Sequence, residues 1–385
     1  YQEAVDIIIT DVALLEKFKF GCCIIHGIFR LGGMKDPLDT AKPVMLLHMF
    51  FATSYCEFHI KTPSITIQNC YFLTGAFFND CVLGYAHLYG TIFERFALFR
   101  KATFSGLLLG SSDIRETRFK KEVSFAGATF EHGVDCKRGV FEENADFSNA
   151  TFHGDADFSG LTFNNCDFTG AKFKGFANFK GATFERYSLF SRVTFESNAM
   201  FSNARFECRE LDEAPEGDNE LSPSFIGATF NGLANFRDAN FASPPHFEGA
   251  KADAILFTQY TETPNKNMSK ESQNIKAFHN HAKKKSILAA QAWAALFRLM
   301  EATHNLQMKL AFHALLVENE KKLIKEESLK SEYSHLFFYY MFERLKVGRD
   351  AVLPLTLLGL FCLLACIFYF DVYCYANREC HLHLT

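Results

Sequence analysis

Two histidine pairs are the first candidates for chemistry in this 385-residue chain, His279-x-His281 and His381-x-His383. Imidazoles spaced this way can share a metal ion when a third ligand stands near, but none is spaced nearby, so surface histidine is expected at both. The twelve cysteines form no CxxC pair and no metal-ligand spacing, which leaves neither a zinc site nor a disulfide framework. Most are expected to act as small buried hydrophobes. Cys374 and Cys380 could pair with each other if they lie outside a membrane. No nucleophile, base and orienting partner can be assembled. The Ser, His and Asp residues between positions 67 and 257 fall mostly where a repeat would point them outward into water. No catalytic, cofactor-binding or metal-binding residue is therefore assigned, no cofactor is expected, and the chain is not read as an enzyme.

The elements that would position any site are more informative. The chain has 45 Phe against one Trp and 13 Tyr, a skew that mixed globular cores do not produce. A formal net charge of −4 speaks against binding nucleic acid by phosphate neutralisation. The sequence opens on Tyr1 rather than Met with no readable leader, so its natural start is expected further upstream.

From Ile67 a large apolar residue recurs every five or six positions, through Phe72, Phe78, Leu83, Leu88, Phe93, Phe99, Phe104, Leu109, Ile114 and Phe119. The beat continues through Cys136, Phe141, Phe147, Phe152, Phe158 and Phe163 to Phe206, and returns from Phe225 to Phe257. Two residues before there is usually a small residue, as at Ala145, Ala156 and Ala177. Two residues after stands Gly or Asn, as at Asn149, Gly160 and Gly181. Steps of five and six alternate in the middle stretch, giving an 11-residue double repeat.

Eleven residues nearly complete three helical turns, so a right-handed coiled coil must be weighed. Phe residues five apart would sit about 140° apart on a helix and form no stripe. A Gly or Asn in nearly every unit would cost roughly 0.5 to 1 kcal/mol each in a helix interior. Extended chain explains the pattern instead, with Ala and Phe on one face, polar residues on the other, and Gly or Asn at a corner. Such short units cannot stand alone and must stack.

The motif, seen in Ala145-Asp146-Phe147-Ser148-Asn149 and Ala177-Asn178-Phe179-Lys180-Gly181, resembles that of the pentapeptide-repeat family. The resemblance covers about half of the chain. It implies a β-solenoid, a right-handed quadrilateral β-helix with four units per coil. The sixth residue of alternate units, such as Asp155, is expected as a bulge at a corner. About 34 units give roughly eight coils and a rod near 40 Å long at the β spacing of about 4.8 Å.

Residues 1–66 read as an irregular N-terminal continuation or cap, and 67–257 as the β-helix. Residues 208–223 carry six acidic residues against one Arg and read as a projecting solvated loop. Residues 258–285 read as a linker and 286–330 as an amphipathic helical segment. Its apolar face at 296–324 is expected to cap the solenoid, with joining a second copy as the alternative. An aromatic and basic stretch at 336–350 precedes 351–370, twenty residues without a charge, enough at 1.5 Å each to span a bilayer core of about 30 Å. Pro354 within it reads as first-turn punctuation, and Cys362 and Cys366 as a weak helix-packing signal. Arg344, Lys346 and Arg349 before it, against Arg378 close after it, put the repeats in the cytoplasm and the 371–385 tail outside.

The expected function is a non-catalytic, membrane-tethered scaffold that binds a protein partner through its solenoid faces. One alternative is a regulatory or truncated part of a channel-like or transport protein, since some members of similar layout carry channel-like segments. The other is a DNA mimic that occupies gyrase, as some members do. Residues 67–257 hold 18 Lys and Arg against 25 Asp and Glu, with most of the excess in 208–223, so the coils lack the strongly acidic surface mimicry needs. No nucleic-acid partner is expected.

Overall fold

The computed structural model describes residues 7–9, 24–32, 37–109, 116–207, 223–257 and 287–303, with residues 309, 312, 313 and 316. Its strands are short, mostly two to nine residues, and every pairing among them is parallel. Each coil of 21 or 22 residues lays its strands directly on the coil before it, as when Phe72 aligns with Phe93 and Phe119 with Phe141. The result is a β-helix.

Four columns of inward side chains fill its centre, one per face. The first stacks Phe51, Phe72, Phe93, Phe119, Phe141 and Phe163 at ring separations of 4.4 to 5.4 Å. The second runs from Phe58 through Phe147 to Phe247, nine rings in all, which at about 4.8 Å per coil spans on the order of 40 Å. The third holds Phe104, Phe130, Phe152, Phe173 and Phe195, and the fourth Phe158, Phe179, Phe201, Phe236 and Phe257. Planes within a column lie within 18° of parallel, whereas rings from adjacent columns meet edge to face, both favoured arrangements. Strand spacing and ring stacking distance agree, which is why one residue type can serve coil after coil.

The 11-residue double repeat encodes two kinds of corner. At a five-residue step the phenylalanine carbonyl accepts the N–H three residues on, as from Ala150 to Phe147 at 3.1 Å. The residue before that N–H has a left-handed backbone: φ is 56° at Asn149, 70° at Gly170 and 67° at Gly181. Closed i to i+3 turns of this kind favour Gly or Asn there, although Lys101 and Arg192 also hold the position. The Asp or Asn before the phenylalanine secures the same corner by accepting the N–H two residues on, as at Asp146 to Ser148 (2.9 Å), Asp157 to Ser159 (3.0 Å) and Asn178 to Lys180 (3.1 Å). At a six-residue step the glycine serves a different need. A Cβ on Gly175 would fall 2.5 Å from the carbonyl carbon of Gly154, and one on Gly154 at 2.5 Å from that of His132. The extra residue of alternate units thus sits at the corners, where successive backbones press together.

Two coils are longer. Phe93 aligns with Phe119, 26 residues on, five more than a 21-residue coil; Ile114, placed in the beat by spacing, lies outside the described residues. Phe206 aligns with Phe241, 35 residues on, which makes the acidic 208–223 stretch an insertion between stacked coils.

Residue 67 is not a boundary. Ile24–Leu31 pairs in parallel with Phe50–Phe58, Val44–Leu47 with Ser64–Gln68, and Ile7–Ile9 with the end of Ile24–Leu31. These coils build the fourth column from Leu46, Ile67, Leu88 and Leu109, all buried, so a search for phenylalanine loses the rhythm while the ladder continues.

At the other end the helix Ile287–Ala302 closes the solenoid. Trp293, Leu296 and Met300 are fully buried, and Phe312 sets its ring edge-on to Phe257 at 5.5 Å. Among the described residues the helix and Phe312 pack on the last coil, with Trp293 as an anchor that the spacing of the apolar face left out; residues 317–324 of the expected capping face lie outside them. The chain divides into two compact units, Tyr1–Asn319 and Glu320–Thr385, and the second lies outside the described residues. So do the linker 258–285, the 336–350 stretch, the expected span 351–370 and the tail. Among the described residues, no helix is long and apolar enough to cross a membrane.

Candidate interaction surface

Every core residue fixed by the repeat leaves a neighbour pointing outward, and these neighbours form rows down each face. On the first face the charged rows interlock between coils. Lys120 reaches Glu94 at 2.6 Å, Arg118 meets Glu116 at 3.1 Å and Glu142 at 3.5 Å, and Lys121 pairs with Glu143. Tyr71 donates its hydroxyl to Glu94. The bond from Lys120, then that from Tyr71, holds the Glu94 carboxyl below its ordinary range, and the same contact raises the Tyr71 phenol.

On the second face Arg100 reaches Glu122 at 3.2 Å and the Ser124 hydroxyl at 3.1 Å, and Ser124 donates to Asp146 at 2.8 Å. On the fourth, Lys137 bridges Asp135 (3.4 Å) and Asp157 (3.2 Å), and Asn178 donates to Asp157 at 3.2 Å. Burial pushes the Asp157 carboxyl up, but bonds from Ser159 and Lys137 outweigh it and leave the group lowered. These side chains are held by coils above and below, so the surface is an ordered array rather than a set of free termini.

Two buried threonines are tied off. Thr91 and Thr117 occupy small-residue positions and donate to the carbonyls of Ile67 (3.0 Å) and Leu88 (2.6 Å). Cys56, Cys70, Cys81, Cys136 and Cys166 are buried. Burial raises the Cys81 thiol to about 12 and those of Cys56, Cys136 and Cys166 well above the ordinary value, which suppresses the reactive thiolate. The sequence reading of these five as small hydrophobes agrees with their placement. His279, His281, His381, His383, Cys374 and Cys380 lie outside the described residues.

Between the last coil and the helix runs a groove of about 700 Å³, floored by Gly249, Ala250 and Ala295 and rimmed by Glu248, Lys251 and Arg298. Sequence reading did not find it, because it forms where the capping helix meets the final coil.

A family model described as pentapeptide repeats (9 copies) matches residues 88–140 and 159–205. Residues 88–140 and 159–205 carry pentapeptide repeats. The solenoid extends beyond the match in both directions on the strength of strand register. Comparison with curated proteins and with solved structures found no match. The repeat fold is therefore shown by the family model and the register together, and its role must be read from its surface.

Sequence reasoning missed the outward aromatic residues of the first coils. Phe50, Tyr71 and Phe96 stand where polar residues stand in later coils, and Phe50 stacks on Tyr71 at 4.9 Å. The available signal was the doublets Phe50-Phe51 and Phe77-Phe78, in which the alternation of the repeat requires one ring to face out.

Proposed function

We propose that this pentapeptide-repeat protein is a membrane-tethered scaffold, without catalytic activity, whose solenoid presents rigid rows of side chains to a protein partner. The observation that supports it best is the interlocking of outward side chains between coils, exemplified by the Tyr71, Glu94 and Lys120 chain. Side chains already fixed in place lose little rotamer freedom on binding, so such a surface is preorganised for recognition. Tethering rests on the uncharged run 351–370 and its basic N-terminal flank. That arrangement puts the repeats on the cytoplasmic side.

The test has two parts. Full-length protein should pellet with membranes and resist carbonate extraction, whereas a chain ending near Lys330 should not; equal behaviour of the two refutes the tether. Proximity labelling from the repeat end should enrich one membrane-associated complex. Strong gyrase inhibition in low salt that survives deletion of 208–223 would overturn the scaffold in favour of DNA mimicry.

A further inference from the structure

Exposed large apolar side chains are not spread evenly along the solenoid. Among the described residues, seven of the eight exposed large apolar side chains lie in the first coils; Ile24, Phe50, Leu73 and Phe96, 37 to 65 % exposed, gather on and beside one face, whereas Met45, Val82 and Tyr85 lie on others. Register places Ile24, Phe50, Tyr71 and Ile92 in one outward row on consecutive coils. The same row continues downward as Arg118, Val140, Thr162, Thr183, Arg205 and Asn240. Outward positions are not constrained by the core, so an unbroken run of large apolar residues over four consecutive coils, ended by Arg118, marks a contact surface.

The rings are fixed as well as exposed. Phe50 and Tyr71 stack within 5° of parallel, and Tyr71 is pinned through its hydroxyl to Glu94. Phe96 lies over Gly75, where a Cβ would come within 2.2 Å of the ring, and meets Phe77 edge-on at 5.4 Å. Rigid aromatic anchors beside a polar rim are the common makeup of interface hot spots.

Size and charge narrow the occupant. Four coils at about 4.8 Å make a shelf roughly 15 Å long. Half-exposed side chains of this size offer on the order of 400 Å², half of the roughly 800 Å² per partner that a stable dimer buries. The footprint suits one helix, whose pitch of about 5.4 Å lies close to the coil spacing, over about three turns. Strand addition is unavailable on this face because the backbone groups of each coil already pair with its neighbours. Along the lower edge, Lys120 pairs with Glu94, Arg118 with Glu116 and Glu142, and Lys121 with Glu143. Arg95, next to Phe96, is exposed.

We infer that the shelf formed by Ile24, Phe50, Tyr71, Leu73 and Phe96 docks an amphipathic helix of a partner protein, apolar stripe inward and acidic residues over Arg95. The inference rests on the scaffold reading and gives it a face and a partner chemistry. Its test is selection of a displayed random library of 14-residue peptides against the purified full chain. Enriched peptides should carry apolar residues at i, i+3, i+4 and i+7 with an excess of Asp and Glu. Their binding should weaken at least tenfold on L73S/F96S and on R95E, and be unchanged on I226S, an exposed apolar residue of a late coil. Thermal melts and a circular dichroism spectrum matching the parent keep loss of binding separate from loss of fold.

Peptides that lack the stripe or the acidic excess, or that bind L73S/F96S as well as the parent, overturn the docking assignment. If they bind through another face the scaffold reading stands; if no face of the solenoid supports peptide or partner binding, both fall. Concentration-dependent self-association abolished by L73S/F96S would assign the shelf to a second copy. Binding to phosphatidylserine vesicles lost with the same variant would assign it to a lipid surface.

Discussion

Replacing Phe163 with Ala tests the stacked core where it is most regular. The ring is fully buried, parallel to Phe141 at 5.3 Å and Phe184 at 5.6 Å, with Phe158 and Phe168 each 6.3 Å away in the adjacent columns. A large-to-small change at such a site removes the transfer free energy of the ring and leaves a cavity, about 3 to 5 kcal/mol together. Relaxation should be poor here, because parallel strands hold the coils on either side at fixed spacing. With a urea m-value of about 3 kcal/mol/M, the unfolding midpoint should fall by roughly 1 M or more. Thr162→Ala, at the neighbouring outward position, should change stability by less than about 0.5 kcal/mol. Urea unfolding followed by far-UV circular dichroism measures both. A loss below about 1 kcal/mol for Phe163→Ala, or similar losses for the two, would refute the inward column. A lower m-value would show coils on the two sides unfolding separately, as expected of a nearest-neighbour array.

Gly175→Ala should destabilise, because its Cβ would sit 2.5 Å from the backbone of Gly154, and a melting temperature equal to the parent's would exclude that close approach. Arg192 holds a left-handed φ of 56° at a five-residue corner where most other coils place Gly or Asn, so Arg192→Gly should raise stability by up to about 1 kcal/mol in the same urea experiment. Cys56, Cys136 and Cys166 should react with a thiol reagent only on unfolding, and rapid labelling of the native protein would contradict their burial. Because the folded Glu94 carboxyl is lowered, its contribution is present above the unfolded carboxylate pKa and lost as pH falls through the folded value. Glu94→Gln should therefore flatten the stability profile on the acid side and not at neutral pH.

Much of the fold could be read from the residues because the repeat couples sequence period to coil directly. Phe163, Phe168 and Phe173 announce three faces in eleven residues, and Asp146, Asp157 and Asn178 announce the corner that follows. What escaped was whatever departs from phenylalanine. The column of Leu46, Ile67, Leu88 and Leu109 stacks without aromatic rings, so residues before 67 looked irregular although the ladder runs through them. Ile114 kept the beat by spacing alone, and only the alignment of Phe93 with Phe119 reveals five surplus residues in that coil. Glycine also carried two meanings that composition cannot separate. Gly170 answers a left-handed φ, whereas Gly175 answers contact with the neighbouring backbone. The apolar shelf was hidden for a related reason, since an outward Phe50 beside an inward Phe51 reads as part of the core until register assigns each its side.

Scaffolding through an ordered face can be tested most directly by measuring partner capture with four variants of the full chain, each changing the outward residues of one face while every core residue is kept. Quantitative affinity capture from the native membrane fraction, normalised to folded protein, gives the readout. Loss of one complex by at least tenfold in a single variant, with the other three near parental levels, is the expected result. Equal capture by all four variants would contradict recognition by the solenoid faces and move the contact to another part of the chain.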